Sequence, residues 1–134
     1  MNGGATASKM AVMSITETLL QSDDTESADK DNKMALVNAI CLANQKIYQE
    51  SHDNPSLSGM GTTVTALLIN EEKAVVAHVG DSRIYQLRHG RKVFRTFDHS
   101  MVFELVKKHV ITEEQARLSA QSNIILRALG QKQE

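Results

Sequence analysis

From Val64 to Val79 the apolar residues recur at every second position, whereas before and after this stretch they recur every third or fourth. Val64, Ala66 and Leu68 alternate with Thr63, Thr65 and Leu67. After a turn at Asn70-Glu71-Glu72, Val75, Ala77 and Val79 alternate with Val76, His78 and Gly80. A period of two sends successive side chains to opposite faces, so these are strands. Both faces carry apolar residues, which predicts strands covered on both sides.

The flanking patterns are helical. In residues 5–20, Ala7, Met10, Ala11, Ile15 and Leu19 fall on one face. Residues 21–32 are polar and acidic and read as a loop. Residues 33–50 predict a second helix with a stripe of Met34, Val37, Cys41, Asn44 and Tyr48, broadened by Leu36, Ile40 and Ile47. So wide a stripe suggests a helix lying across a sheet. Residues 52–61, with Asp53-Asn54-Pro55 and two glycines, form a loop.

Residues 83–88 and 92–96 predict two more strands around a turn at His89-Gly90, continuing an antiparallel meander. The helical period then returns at Val102, Leu105, Val106 and His109. Thr112-Glu113-Glu114-Gln115 has capping-box spacing and opens a short helix reaching about residue 119. Residues 123–129 are apolar, end at Gly130, and read as helix or strand. No repeat and no linker divides the chain. The class is α+β, with antiparallel strands flanked by helices.

The bulk composition is that of a soluble domain. The 134 residues suffice for one core. Fifteen basic and sixteen acidic residues give a net charge of −1, so no strong field draws the chain to nucleic acid or an anionic membrane. Two tyrosines and three phenylalanines make no stacking platform for bases. The weak basic cluster of Arg88, Arg91, Lys92 and Arg95 reads as a solvated hairpin face. Cys41 is the one cysteine; it can form no internal disulfide, which suits a reducing cytoplasm, and reads as a small core residue. No apolar run is long enough to cross a membrane, and the N-terminus lacks a secretion-signal pattern.

Several residues could carry chemistry. Asp81, in Val79-Gly80-Asp81-Ser82-Arg83, sits at a strand end beside a glycine. Its carboxylate suits Mg²⁺ or Mn²⁺, hard cations that keep several waters. Alternatively it is turn chemistry, the side chain bonding nearby backbone amides. Asp98-His99-Ser100 with Ser82 admits a charge-relay reading, or a plain helix cap at Asp98 or Ser100; the nucleophile elbow Gly-x-Ser-x-Gly does not occur. Asn2 to Lys9 looks like a phosphate loop, but the Gly-x-x-x-x-Gly-Lys pattern is absent and a helix start suffices. The five histidines show no close metal-ligand spacing. Cys41 has no arginine six residues later, unlike the loop of cysteine-dependent phosphatases.

Taken in order, Gly61-Thr62-Thr63, Val79-Gly80-Asp81-Ser82-Arg83, Thr96 to Ser100 and Leu126-Arg127-Ala128-Leu129-Gly130 resemble the PP2C-like (PPM) metal-dependent serine/threonine phosphatases of bacterial type. Asn2 to Lys9 resembles the stretch just after that family's Asp-Gly-x-Gly-Gly motif, and residues 101–122 match the position of its mobile flap. The resemblance implies part of an α-β-β-α sandwich and hydrolysis of phosphoserine or phosphothreonine in proteins. It implies Mn²⁺ or Mg²⁺ as cofactor and a metal-held water as nucleophile. Asp81 is the one position onto which a metal ligand carries over, matching a ligand of an accessory third metal. Asp98, His99 and Ser100 match a motif read as structural, at the base of the flap.

The family's Asp-Gly-x-Gly-Gly aspartate, its Arg-x-x-x-Glu-Asp segment and its later Asp-Gly and Asp-Asn motifs are not in these residues. The expectation is therefore a partial domain, inactive alone, with no nucleic-acid or membrane partner. Its apolar faces would be covered by the rest of a longer phosphatase or by a homodimer. The alternative is a non-catalytic phosphatase-like interaction domain, and a rival enzyme class is a hydrolase using Ser82 or Ser100 with His99.

Overall fold

The structure is a computed structural model that describes residues 3–22, 32–119 and 124–133. Two long helices come first, α1 (Gly4–Ser22) and α2 (Asn32–Asp53), then a 3-10 turn at Pro55–Leu57. Two hairpins follow, β1 (Val64–Ile69) with β2 (Ala74–Val79) and β3 (Tyr85–Arg88) with β4 (Arg91–Arg95). Two short helices, α3 (Met101–Lys107) and α4 (Glu113–Leu118), come last. Of the expected loop at 21–32, positions 23–31 lie outside the described residues.

The face expected of α1 is the one that packs: Ala7, Ala11 and Ile15 are buried, with Met10 and Leu19 partly so. The stripe expected on α2 needs correction. Its buried residues are Leu36, Ala39, Ile40, Ala43, Ile47 and Ser51, whereas Met34, Val37 and Cys41 are exposed. The reason is size. Ala7 and Ala11 of α1 and Ala39 and Ala43 of α2 are all buried, and side chains this small let two helices approach closely. The apolar bulk of Met34 and Val37 points elsewhere, and Cys41 is a surface thiol instead of a core residue.

The first hairpin lays one face on this core. Val64 pairs with Val79, Ala66 with Ala77 and Leu68 with Val75, and all six pack against it. Leu67, Ile69 and Val76 lie on the opposite face and are exposed, so the cover expected on both faces exists on one among the described residues.

The expected meander is also corrected: the two hairpins form two separate two-stranded sheets. The ladder breaks because Gly80 leaves β-space at φ +106°, and both its backbone groups are taken by His99 instead of a neighbouring strand. In the second hairpin His89 and Gly90 both take positive φ, the two-residue turn whose twist suits the strands.

Ser100 caps α3, its hydroxyl accepting the Phe103 N–H, and the expected capping box of α4 is present in both directions between Thr112 and Gln115. Phe97 and Phe103 stack at 5.4 Å, and Arg95 lies over both rings while pairing with Glu113 at 2.7 Å. These contacts dock α3 and α4 on the second hairpin. Asn123 lies outside the described residues. From 124 to 129 the chain forms neither helix nor strand and is tied down by isolated bridges from Ile125 to Ser100 and from Leu129 to Thr62.

Candidate functional site

The Gly80-Asp81-Ser82 turn is built by three neighbouring segments. Continuing the β1–β2 register past Val64 and Val79 sets Thr63 opposite Gly80. A Cβ on Gly80 would lie 2.4 Å from the Thr63 methyl, so only glycine fits beneath that side chain. The Thr63 hydroxyl is 2.8 Å from the Ser82 hydroxyl and anchors the far side of the turn. His99 anchors the near side twice: its backbone N–H donates to the Gly80 carbonyl at 2.9 Å, and its Nδ1 accepts the Gly80 N–H at 3.1 Å. His78 of β2 stacks on His99, ring centroids 4.7 Å apart, and its Nε2 bonds the Phe97 carbonyl at 2.7 Å. Burial first, then the neighbouring His78, Arg127 and Lys107, hold the His99 pKa below its ordinary value, which keeps Nδ1 an acceptor.

Asp81 is half-buried between these anchors. Among the described residues its carboxylate has no hydrogen bond or ion pair. The turn-forming reading, in which it bonds nearby amides, does not hold. What remains is a carboxylate with its acceptor positions open. One hard oxygen donor fits a place in a Mg²⁺ or Mn²⁺ shell otherwise filled by water or other groups. It does not make a two-metal centre: no three His, Cys, Asp or Glu side chains converge among the described residues.

The charge relay is not assembled. The Ser82 hydroxyl faces Thr63, the Ser100 hydroxyl caps α3, and His99 accepts from Gly80. Asp98 is bound in a two-pronged pair by Arg83, with Nε–Oδ1 and Nη2–Oδ2 both at 2.8 Å. Arg83 also donates to the Tyr85 hydroxyl; the carboxylate raises the Arg83 pKa, and the guanidinium lowers that of Tyr85. A cleft of about 240 Å³ lies between the second hairpin and α3–α4. Two of its cations, Arg83 and Arg95, are already paired with Asp98 and Glu113.

The terminal motif is packing. A Cβ on Gly130 would lie 2.4 Å from a methyl of Ile47, and the Gly130 N–H donates to Asn44 Oδ1 at 2.7 Å. The supporting roles of Thr63, His78 and Asn44 were not legible from spacing. The register opposite Gly80 was the available clue for Thr63, and its position on β2 for His78.

The family model for protein phosphatase 2C matches residues 1–120. The chain belongs to the protein phosphatase 2C family. This PP2C chain is 44% identical over 93 residues to the protein phosphatase PhpP of Streptococcus pneumoniae, covering 69% of the chain and 37% of that protein. It superimposes on the serine/threonine phosphatase of S. agalactiae with a TM-score of 0.78 at 38% identity, covering 93% of the chain and 50% of that structure. It also resembles the catalytic domain of the phosphatase PstP solved with two manganese ions, with a TM-score of 0.76 at 32% identity, covering 98% of the chain and 54% of that structure. The PP2C chain spans about half the length of the curated relatives it matches along nearly its whole length.

Proposed function

We propose that these residues are the central stretch of a metal-dependent serine/threonine protein phosphatase, with Asp81 contributing one ligand to its metal site. The observation that carries this is the Asp81 carboxylate, held between two anchored residues and left without a protein partner among those described. Family membership and the manganese-bound relative support the chemistry. Mn²⁺ or Mg²⁺, when bound, lowers the pKa of a water and offsets charge on the phosphoryl group. This chain's own part is to orient Asp81 through Gly80 and Ser82 and to carry α3 and α4, proposed as the flap segment at 101–122, on the second hairpin. Phosphoserine and phosphothreonine proteins are the proposed substrates and the cytoplasm the proposed location. No helix among the described residues is long and apolar enough to cross a membrane.

With no three His, Cys, Asp or Glu side chains converging among the described residues, the 134 residues by themselves should not turn over phosphate esters. The test is p-nitrophenyl phosphate hydrolysis with and without Mn²⁺. A rate equal to the metal-only blank supports the reading. Mn²⁺-dependent turnover would overturn the claim of inactivity. In a chain that also carries the family's remaining metal motifs, Asp81→Ala should lower turnover by more than it lowers stability. Unchanged turnover at every Mn²⁺ concentration would remove Asp81 from the site.

A further inference from the structure

We infer that His99 is a positioning residue for Asp81, acting through Gly80 as a hydrogen-bond acceptor. The inference rests on the reading of Asp81 as a metal ligand, and its geometry stands independently. A histidine bonded to backbone can donate a ring N–H to a carbonyl, as the geometry allows for His78 and Phe97. His99 does the reverse and takes a backbone N–H on Nδ1. Gly80 is buried, so without that acceptor its amide is an orphaned donor. The second bond, from the His99 N–H to the Gly80 carbonyl, closes a two-point clamp.

Asp81 is the next residue. Its side chain is tied to nothing among the described residues, so its direction is set by the backbone on either side. Ser82 is fixed by Thr63 and Gly80 by His99. His99 also accepts the Leu126 N–H on its carbonyl at 2.7 Å, and it immediately precedes the Ser100 cap of α3. One residue thus links the base of α3, the segment at 124–129 and the turn that presents the carboxylate. A displacement of the α3 base pulls on Gly80, and through it on Asp81.

The test is amide hydrogen exchange by NMR on the ¹⁵N-labelled protein, read at Gly80 and Asp81, for His99→Ala, His99→Asn and His99→Gln. Loss of the bond should speed Gly80 exchange roughly fivefold in His99→Ala and shift the Asp81 amide resonance. His99→Asn places Oδ1 near the position of Nδ1 and should restore protection; His99→Gln, with its acceptor one bond farther out, should not. Unchanged Gly80 exchange in His99→Ala overturns the inference, as does a folded His99→Asn as unprotected as the alanine variant. If His99→Ala does not fold, the comparison passes to the other two variants, where equal Gly80 protection overturns it. Asp81→Asn leaves the clamp intact and should leave Gly80 protected, so its effect on metal-dependent hydrolysis, read in a chain that also carries the family's remaining metal motifs, bears on the metal reading alone.

Discussion

Gly80→Ala should be among the most damaging conservative changes available in this chain. Two separable penalties arise. The residue sits at φ +106°, a region L side chains rarely adopt, which costs about 1–3 kcal/mol. The added methyl would also lie 2.4 Å from Thr63 Cγ2 and 2.9 Å from its Cβ, and such overpacking costs about 1–3 kcal/mol more. The sum is about 4 kcal/mol, a large share of the roughly 5–15 kcal/mol that holds a domain folded. The two parts can be separated by repeating the change in a Thr63→Ser background. Serine keeps the hydroxyl that meets Ser82 and removes the methyl at 2.4 Å. Contacting residues couple by about 0.5–3 kcal/mol, so alanine at position 80 should cost about 1–2 kcal/mol less there. With an m-value of about 2 kcal/mol per molar urea, the midpoint should fall by about 2 M in the native background and about 1–1.5 M from the serine parent. Equal drops in the two backgrounds would refute the steric half. A drop below about 1 kcal/mol in both would refute the account of why glycine stands there.

Two further changes test the core and the turn. The Ser14 hydroxyl is buried with no partner among the described residues, so Ser14→Ala should stabilise the protein by about 1 kcal/mol and raise Tm by about 4 °C in a thermal melt; a lower Tm would show the hydroxyl to be satisfied. The pH dependence follows from His99, whose folded pKa lies below its ordinary 6.5. The unfolded chain then binds that proton more tightly, so the contribution of His99 is fully present above about pH 6.5 and is lost as pH falls from there toward the folded pKa. Urea midpoints from pH 7.5 to 5 should decline for the native protein and decline less for His99→Asn; parallel slopes would place the acid sensitivity elsewhere.

Much of the fold was legible because its signals are local. The period-two stretch, the capping box at Thr112 and the turn at His89-Gly90 depend on residues close in sequence, and the structure has them as read. Two of the misreadings share one cause, which is that the deciding partner lies far along the chain. The buried stripe of α2 turns on alanines in α1 that set how closely the helices approach, so ranking α2 residues by their own hydrophobicity picked Met34, Val37 and Cys41. The break between β2 and β3 turns on His99, nineteen residues beyond Gly80, which takes both backbone groups a continuing ladder would use.

The site shows the same division. The Gly-Thr-Thr and Gly-Asp-Ser-Arg motifs stand out singly as turn and strand chemistry. The structure supplies the reason they occur together: the second threonine of one covers the glycine of the other at a distance that excludes a Cβ, and its hydroxyl holds the serine two positions on. The Asp98-His99-Ser100 motif completes the set by giving each residue a separate task. Asp98 holds Arg83, His99 holds Gly80, and Ser100 starts α3. Each of these polar groups already has a partner within the fold. Asp81, which they surround, is the carboxylate left free, and that contrast is why the turn reads as a device for presenting one ligand and not as a catalytic triad.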